Sequence, residues 1–322
     1  MDRHELLRKI TALPLIASSL ADDLLAGDFR SVFKGRGIEF DEVRHYERGD
    51  DIRSIDWNAS ARFGAPFVKL YREERELTLL IVLDTSASMF AGGFGREFEP
   101  ERAAALPSPY EQGLLAAALI AFSAEQTGQR LGALFFDQDI SRVFPPRKGR
   151  RHTMAIISGA LRFQGQARGG NVRGSHLGAA LAGAGRLLKR RSLVVLVSDF
   201  FCRAWEQPLG DLARRHDVIA LRIRDILDGE LPNLGLVPME DPETGVRFHA
   251  PTGFPSFRSA WRRWHEERAL LWENLCRRAG AAGLELSTAD DVPQVLFRFF
   301  GASAHQTGFR RNRAHSLRGG RP

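Results

Sequence analysis

The sequence of 322 residues predicts an α/β fold with a doubly wound, mostly parallel sheet and helices on both of its faces. Two observations predict this class. Short, almost wholly apolar runs such as 77–83 and 192–197 are typical of strands buried on both faces. These runs alternate with helical patterns from residue 77 to residue 300, which favours parallel strands joined by crossover helices.

The predicted elements follow one another regularly along the chain. The strand at 77–83 leads to a helix rich in Ala and Leu at 110–127, and strands at 131–136 and 140–144 follow, joined by a short turn. The remaining predicted elements are helices at 153–163 and 176–189, a strand at 192–197, a helix at 205–215, a strand at 218–223, a hairpin turning at 241–245, a helix at 257–279, a strand at 284–287, and a helix at 292–300 that Pro293 could break.

Aromatic side chains are expected mainly in the core. In the helix 257–279, one apolar face is predicted to consist of Phe257, Trp261, Trp264, Leu271 and Leu275, and Trp272 is also expected to be buried. Trp57 is predicted to be a buried anchor.

Composition divides the chain into three segments. Residues 1–75 mix acids and bases densely and form a predicted charge-rich N-terminal lobe, 76–301 carry the α/β pattern, and 302–322 lack apolar periodicity and predict a disordered tail. The net charge is +7, from 46 Lys and Arg against 39 Asp and Glu. The tail has five arginines and no acid, so the basic balance belongs mostly to the tail rather than to the fold.

Cysteine content and hydropathy indicate a compartment. Two cysteines, Cys202 and Cys276, are too few for a disulfide framework and suit a reducing cytoplasm. The longest apolar stretch, 113–122, has half of the roughly 20 residues that a membrane-spanning helix needs. We therefore expect a cytoplasmic protein without a membrane span.

Polar side chains follow two of the predicted strands. The first strand runs into Asp84-Thr85-Ser86-Ala87-Ser88, and another ends at Ser198-Asp199. The carboxyl ends of parallel strands share one edge of the sheet, so these oxygens are expected to converge. An all-oxygen set suits Mg²⁺ or Mn²⁺ rather than zinc. The alternative is structural, because Asp and Ser after a strand commonly cap the next helix.

Asp84, Ser86 and Ser88 together with Asp199 resemble the metal-ion-dependent adhesion site (MIDAS) of von Willebrand factor type A domains. That site also takes a Thr from a loop between the two strands, and the corresponding segment here, 169–178, offers Ser175. The resemblance therefore implies a metal site formed by Asp84, Ser86, Ser88, Ser175 and Asp199. Ser175 departs from the usual Thr but retains a hydroxyl.

The upstream segment 35–57, followed by Ser60-Ala61-Arg62 and Val68-Lys69, resembles the signature of domain-of-unknown-function family fifty-eight, a bacterial branch of the type A superfamily. The resemblance covers roughly residues 30 to 300. Such proteins are typically encoded beside MoxR-type AAA+ ATPases, and the resemblance implies a soluble member that acts with such an ATPase.

The expected function is binding rather than catalysis. Two carboxylates and three hydroxyls leave a divalent ion with an open position that a carboxylate of a partner could fill. The chain is thus expected to be a non-enzymatic, metal-dependent protein-interaction module, an adaptor or chaperone-like partner that couples a MoxR-type ATPase to client proteins.

Two alternatives remain. A Mg²⁺-dependent hydrolase of the haloacid-dehalogenase type would carry an Asp two residues after Asp84, where this chain has Ser86, and neither a G-x-S-x-G string nor a phosphate-binding loop is found. Nucleic-acid binding through the basic tail is the other, but Phe309 is the tail's only aromatic residue, which argues against base stacking.

Overall fold

The computed structural model describes most of the chain, namely residues 3–26, 39–47, 50, 55–72, 77–91, 106–163 and 174–306. The chain forms two compact units, one of residues 1–29 with 78–322 and the other of residues 30–77.

Ten strands and ten helices are assigned within the described residues. The strands are β1 (Glu39–His45), β2 (Phe67–Arg72), β3 (Thr78–Asp84), β4 (Arg130–Phe136), β5 (Ile140–Arg147), β6 (Leu193–Ser198), β7 (Asp217–Arg224), β8 (Leu236–Glu240), β9 (Arg247–Pro251) and β10 (Ala282–Ser287). The helices are α1 (Arg3–Ala26), α2 (Trp57–Phe63), α3 (Ala87–Phe90), α4 (Pro109–Gln126), α5 (Arg150–Leu161), α6 (Leu177–Leu187), α7 (Glu206–Ala213), α8 (Ile226–Gly229), α9 (Pro255–Ala279) and α10 (Val292–Gln306).

The larger unit is built on a six-stranded sheet with the order β10-β7-β6-β3-β4-β5. All neighbouring pairs are parallel except β4 and β5, which the short turn at 137–139 joins as an antiparallel pair. This confirms the predicted doubly wound, mostly parallel fold. From β3 the chain continues to β4 on one side and returns through β6 on the other, so the strand order reverses between β3 and β6, where α/β sheets bind ligands.

Apolar composition explains why β3 and β6 occupy the centre. All six residues of β6 are buried, as is every residue of β3 after Thr78. Only a strand covered on both faces can bury such a run. Edge strand β5 instead has no buried residue and contains Pro145 and Pro146, which cannot donate to a further strand.

Helix α1 belongs with the sheet, which differs from the predicted lobe of residues 1–75. Leu6, Ile10, Leu13 and Ala17 form a buried stripe, and α1 packs against α4 and α10. The Ser123 hydroxyl on α4 donates to the carbonyl of Ala17 over 3.2 Å. An apolar stripe at helical spacing needs a partner surface, so the separate unit is limited to residues 30–77.

The smaller unit contains the antiparallel pair β1–β2 and helix α2. Asp56 caps α2 by accepting the amides of Asn58 and Ala59, and Gly64 ends the helix at φ +71°. Trp57 is 69% exposed, so its prediction as a buried anchor is wrong. The reason is that the seven-residue α2 buries none of its residues.

The buried face of α9 differs from the prediction. Trp264 and Leu271 are exposed, whereas His265, Trp272 and Cys276 are buried. His265, Trp272 and Cys276 lie on one helical face, because they are spaced at i, i+7 and i+11. The spacing of the tryptophans and leucines alone does not determine which face of α9 the sheet covers.

Helix α10 continues to Gln306, beyond the predicted end at residue 300. It therefore includes residues 302–306 of the segment for which the sequence predicts disorder, so that prediction is wrong for these five residues. Pro293 lies in the first turn, where its missing N–H breaks no helical hydrogen bond. The rest of the predicted tail, 307–322, lies outside the described residues. Within the described residues, no helix combines the length and the apolar character that crossing a bilayer requires.

Candidate metal site

Two carboxyl groups lie at the carboxyl ends of the central strands. Asp84 ends β3 and is fully buried, and Asp199 directly follows β6 and is 6% exposed. Both therefore stand at the point where the strand order reverses.

Asp84 accepts hydrogen bonds from three serines. Its Oδ1 accepts the amide of Ser86 over 2.9 Å. Its Oδ2 accepts the hydroxyls of Ser198 over 2.7 Å and of Ser175 over 3.1 Å. These bonds bring the segment before α6 and the end of β6 to the same carboxylate. Ser175 therefore lies beside Asp84, as the predicted set of five site residues requires.

The serines after β3 link Asp84 to Asp199. The Ser86 and Ser88 hydroxyl oxygens lie 3.2 Å apart, and the Ser88 hydroxyl is hydrogen-bonded to Asp199. Asp199 Oδ1 also accepts the amide of Phe201 over 3.0 Å. The structure thus brings together all five predicted site residues, while their role as metal ligands stays a prediction.

The capping alternative fits this geometry poorly. Ser86 occupies the N-cap position of α3, but its side chain makes no capping hydrogen bond. Its hydroxyl instead lies beside that of Ser88. The loop is positioned from β4, because the amide and hydroxyl of Thr85 both donate to the carbonyl of Phe136, over 2.7 and 2.8 Å.

Burial dominates the electrostatics of the two carboxyl groups. Burial, followed by the charge of Asp199, raises the pKa of Asp84 to about 7. Burial likewise raises the pKa of Asp199, although hydrogen bonds and the more distant charges of Arg222 and Arg268 oppose this. Two buried like charges are unfavourable unless a proton or a cation compensates them.

The donor set fits a hard divalent cation. It offers carboxylate oxygens from Asp84 and Asp199 and hydroxyl oxygens from Ser86, Ser88 and Ser175, the ligand types that Mg²⁺ and Mn²⁺ prefer. A bound ion would supply the positive charge that this buried pair lacks. In the described part of the chain, no group of three or more His, Cys, Asp or Glu side chains is arranged to hold an ion, so hydroxyl oxygens would have to complete the shell.

A strained loop fixes Asp199. Phe200 and Ala204 both have positive φ, +57° and +60°, which costs non-glycine residues free energy. Phe200 is held there because its ring packs on Trp205 and Trp272, with centroids at 5.3 and 5.8 Å, and its amide donates to Ser198 Oγ over 3.0 Å. The loop therefore presents Asp199 in a defined position.

Sequence reasoning missed three residues around this site. Ser198 donates to Asp84, and its position before Asp199 at a strand end could have indicated this. The Cys202 thiol is hydrogen-bonded to Ser175, and burial followed by the charges of Asp84 and Asp199 raises its pKa to about 12. Glu243, in the β8–β9 turn, accepts the amide of Ser88 over 3.1 Å, and no local pattern signals this contact.

The turn at Asp137 and Asp139 supports the site without joining it. Asp137 Oδ1 accepts the amide of Asp139 over 3.2 Å, a hydrogen bond that is typical of a tight turn. The carbonyl of Asp137 accepts the amide of His176 over 2.8 Å and so holds the chain next to Ser175.

Comparison with known families identifies the chain. A family model described as "Protein of unknown function DUF58" matches residues 42–269. The chain belongs to the DUF58 family. The matched range includes Asp84, Ser86, Ser88, Ser175 and Asp199, and it confirms the resemblance seen in the upstream signature.

Relatives of this DUF58 chain include uncharacterized proteins of Mycobacterium tuberculosis and Mycobacterium bovis. Each is 35% identical over 247 residues, which cover 76% of this chain and 74% of the relative. Similar solved structures include an aerotolerance-related membrane protein from Bacteroides fragilis, at 14% identity and a TM-score of 0.45, and BatB from Bacteroides thetaiotaomicron, at 12% and 0.41. Each covers 71% of this chain, which in turn covers 98% of each structure.

Proposed function

We propose that this DUF58 protein is a non-enzymatic, metal-dependent protein-interaction module of the cytoplasm. Mg²⁺ or Mn²⁺ would be held by Asp84, Ser86, Ser88, Ser175 and Asp199. The observation that carries the proposal is the buried pair Asp84 and Asp199, joined by serine hydroxyls at the reversal point of the sheet. The ion would attract a carboxylate of a partner protein to this edge.

The hydrogen bonds of the serines favour binding over hydrolysis. Ser175 and Ser198 donate to a carboxylate, and Ser88 is bonded to one. A serine nucleophile needs a base such as histidine to remove its proton. Here the hydroxyl groups of Ser175 and Ser198 instead donate hydrogen bonds to Asp84. The haloacid-dehalogenase alternative has less support than the binding role, because Ser86 stands where its second Asp would be needed.

The partner in this proposal is a MoxR-type AAA+ ATPase, and the protein would couple it to client proteins. The resemblance of the segment 35–57 to its family supports this assignment, because relatives are typically encoded beside such ATPases. An adaptor role also suits a protein whose site would present a metal ion with an open position to an external carboxylate.

Direct binding tests the proposal. The purified protein is immobilised and titrated with a purified MoxR-type AAA+ ATPase, in Mg²⁺ and in EDTA. Binding is expected in Mg²⁺, and Asp84→Ala is expected to abolish it. Asp211→Ala is the matched control, because Asp211 is an exposed residue on α7. Equal binding by Asp84→Ala and wild type, without Mg²⁺ dependence, contradicts the proposal. If wild type releases inorganic phosphate from p-nitrophenyl phosphate or ATP and Asp84→Ala does not, the hydrolase alternative is favoured.

A further inference from the structure

The β8–β9 hairpin brings a third carboxylate to the mouth of the candidate metal site. Glu243 Oε1 accepts the backbone amide of Ser88 over 3.1 Å. A Cβ added to Gly174 would lie 3.4 Å from Glu243 Oε2. The carboxylate therefore lies between the loop after β3 and the segment that carries Ser175.

The turn aims Glu243 at this position. Asp241 Oδ1 accepts the amides of Glu243 and Thr244 over 2.8 and 3.3 Å. The amide of Gly245, at φ +69°, donates to the carbonyl of Asp241 over 2.7 Å, and a residue with a side chain would be strained at that φ. These bonds form a rigid Asx-type turn, so the direction of Glu243 is set by the hairpin itself.

The hairpin is anchored at its base and open near its tip. Val237 and Ala250 are buried, and the Thr252 hydroxyl accepts the amide of Leu234 over 3.1 Å. Nearer the turn, Val246 and Phe248 are exposed. The contact of Glu243 with Ser88 is thus a polar contact at a hairpin tip that has little apolar packing. Such a contact can be exchanged for another.

Charge explains why this arrangement calls for a cation. Glu243 would add a third negative group near Asp199, and like charges at close range repel strongly away from bulk water. A divalent ion held by the two aspartates turns this repulsion into attraction. The proposed function requires a carboxylate from a partner at this same edge of the sheet.

We infer that Glu243 is an internal ligand whose carboxylate takes the open position once the two aspartates hold an ion, so that the β8–β9 hairpin closes the metal site until a partner carboxylate displaces it. This inference rests on the proposed metal-dependent function. A tethered group acts at an effective concentration on the order of millimolar, so an isolated external carboxylate competes poorly with it. A productive partner must therefore supply additional contacts or release the hairpin.

The test uses Mn²⁺ as the ion and a short peptide with one glutamate and blocked termini as the external carboxylate. Wild type, Glu243→Gln and the control Glu240→Gln are loaded with Mn²⁺, and peptide affinity is measured by calorimetry and by the Mn²⁺ electron paramagnetic resonance spectrum. Glu240 is suitable because it lies on the same hairpin but pairs with Arg247 over 2.7 Å. The peptide is expected to bind Glu243→Gln about ten-fold or more tightly than wild type or the control.

Hydrogen exchange supplies a second measurement. Saturating peptide is expected to accelerate amide exchange at residues 241–246 in Mn²⁺-loaded wild type, because the tip leaves Ser88. The two hypotheses fail differently. One outcome is that Asp84→Ala abolishes Mn²⁺ binding while wild type and Glu243→Gln bind the peptide with affinities within about two-fold of each other. This outcome overturns only the inference that Glu243 is an internal ligand. Absence of Mn²⁺ binding to wild type and Glu243→Gln overturns the proposed function and the internal ligand together.

Discussion

Ser198 donates its hydroxyl hydrogen to Oδ2 of Asp84 over 2.7 Å, across the two central strands of the sheet. The same hydroxyl oxygen accepts the amide of Phe200 over 3.0 Å. One serine thus ties the first carboxylate of the candidate site to the strained loop that carries the second, Asp199. Ser198 is a positioning residue in this arrangement.

Replacing Ser198 with alanine tests that role. Ser198→Ala removes a donor to Asp84 Oδ2 and the acceptor of the Phe200 amide, and the expected loss of stability is about 1–3 kcal/mol. Loss of the donor also disfavours the charged form of Asp84, so Mg²⁺ affinity measured by calorimetry at pH 7 is expected to fall. Ser123→Ala is the control, because Ser123 is equally buried but bonds to Leu119 and Ala17. The control is expected to lose stability without losing Mg²⁺ affinity, and equal affinities in all three proteins would refute the role of Ser198.

Removal of one buried charge is expected to have opposite effects with and without metal. In EDTA at pH 8, Asp84→Asn relieves the repulsion between two buried carboxylates, so its melting temperature is expected to equal or exceed that of wild type. Mg²⁺ should stabilise wild type by about 2.7 kcal/mol at one hundred times its dissociation constant, and Asp84→Asn by much less. Thermal unfolding monitored by circular dichroism measures both. If Mg²⁺ stabilises the variant and wild type to the same degree, Mg²⁺ binds at a site other than Asp84.

Much of this site follows from local sequence. The run that forms β3 is apolar because both of its faces are covered, and Asp84 is the first residue at which that requirement ends. The same argument places Asp199 after β6. Parallel pairing then brings both to one edge, so the strand ends were sufficient to predict the carboxylate pair.

Other features depend on docking that no local pattern encodes. Glu243 is 155 residues from Ser88, and their contact arises only when the hairpin folds over the sheet edge. Helix α9 has apolar residues on more than one side, so packing against the sheet buries Trp272 and leaves Trp264 exposed. The stripe on α1 predicts a buried face but not its partner, α4.

A largely buried carboxyl group outside the candidate site is expected to give a pH dependence of its own. Burial, followed by the charge of Asp225, raises the pKa of Asp228 from its ordinary 3.8 to about 7. The native state therefore holds this proton more tightly than the unfolded state does. Stability from Asp228 is present below pH 4, is lost as the pH rises through 7, and does not fall further above it.

Asp228→Asn removes this pH-dependent contribution to stability but keeps an oxygen that can accept the amide of Asp225. The variant is expected to match wild type near pH 4 and to exceed it at pH 8 by on the order of 3 kcal/mol. Urea unfolding at several pH values measures the difference. The neighbouring His265, whose pKa burial lowers to about 4, titrates in both proteins and contributes little to that difference. Asp211→Asn serves as an exposed control, and a difference that does not grow between pH 4 and 8 contradicts the prediction.

Gly178, in the first turn of α6, permits the close approach of that helix to the loop after Asp199. A Cβ at this position would lie 2.8 Å from the carbonyl oxygen of Ala204, a backbone atom that cannot rotate away. Gly178→Ala must therefore separate α6 from the loop, and the expected cost is about 1–3 kcal/mol. Because Ser175 lies just before α6, the same shift is expected to lengthen its contact with Asp84 and to weaken Mg²⁺ binding.

Gly210 provides the matched substitution. It lies within α7, and a Cβ there would meet nothing within 4 Å. Gly210→Ala should stabilise the protein by about 0.5–1 kcal/mol through helix propensity and leave Mg²⁺ affinity unchanged. Urea unfolding and calorimetry on both variants measure the contrast. Equal stability changes in the two variants would show that α6 and the loop can separate without cost, and would remove the steric argument for how Ser175 is positioned.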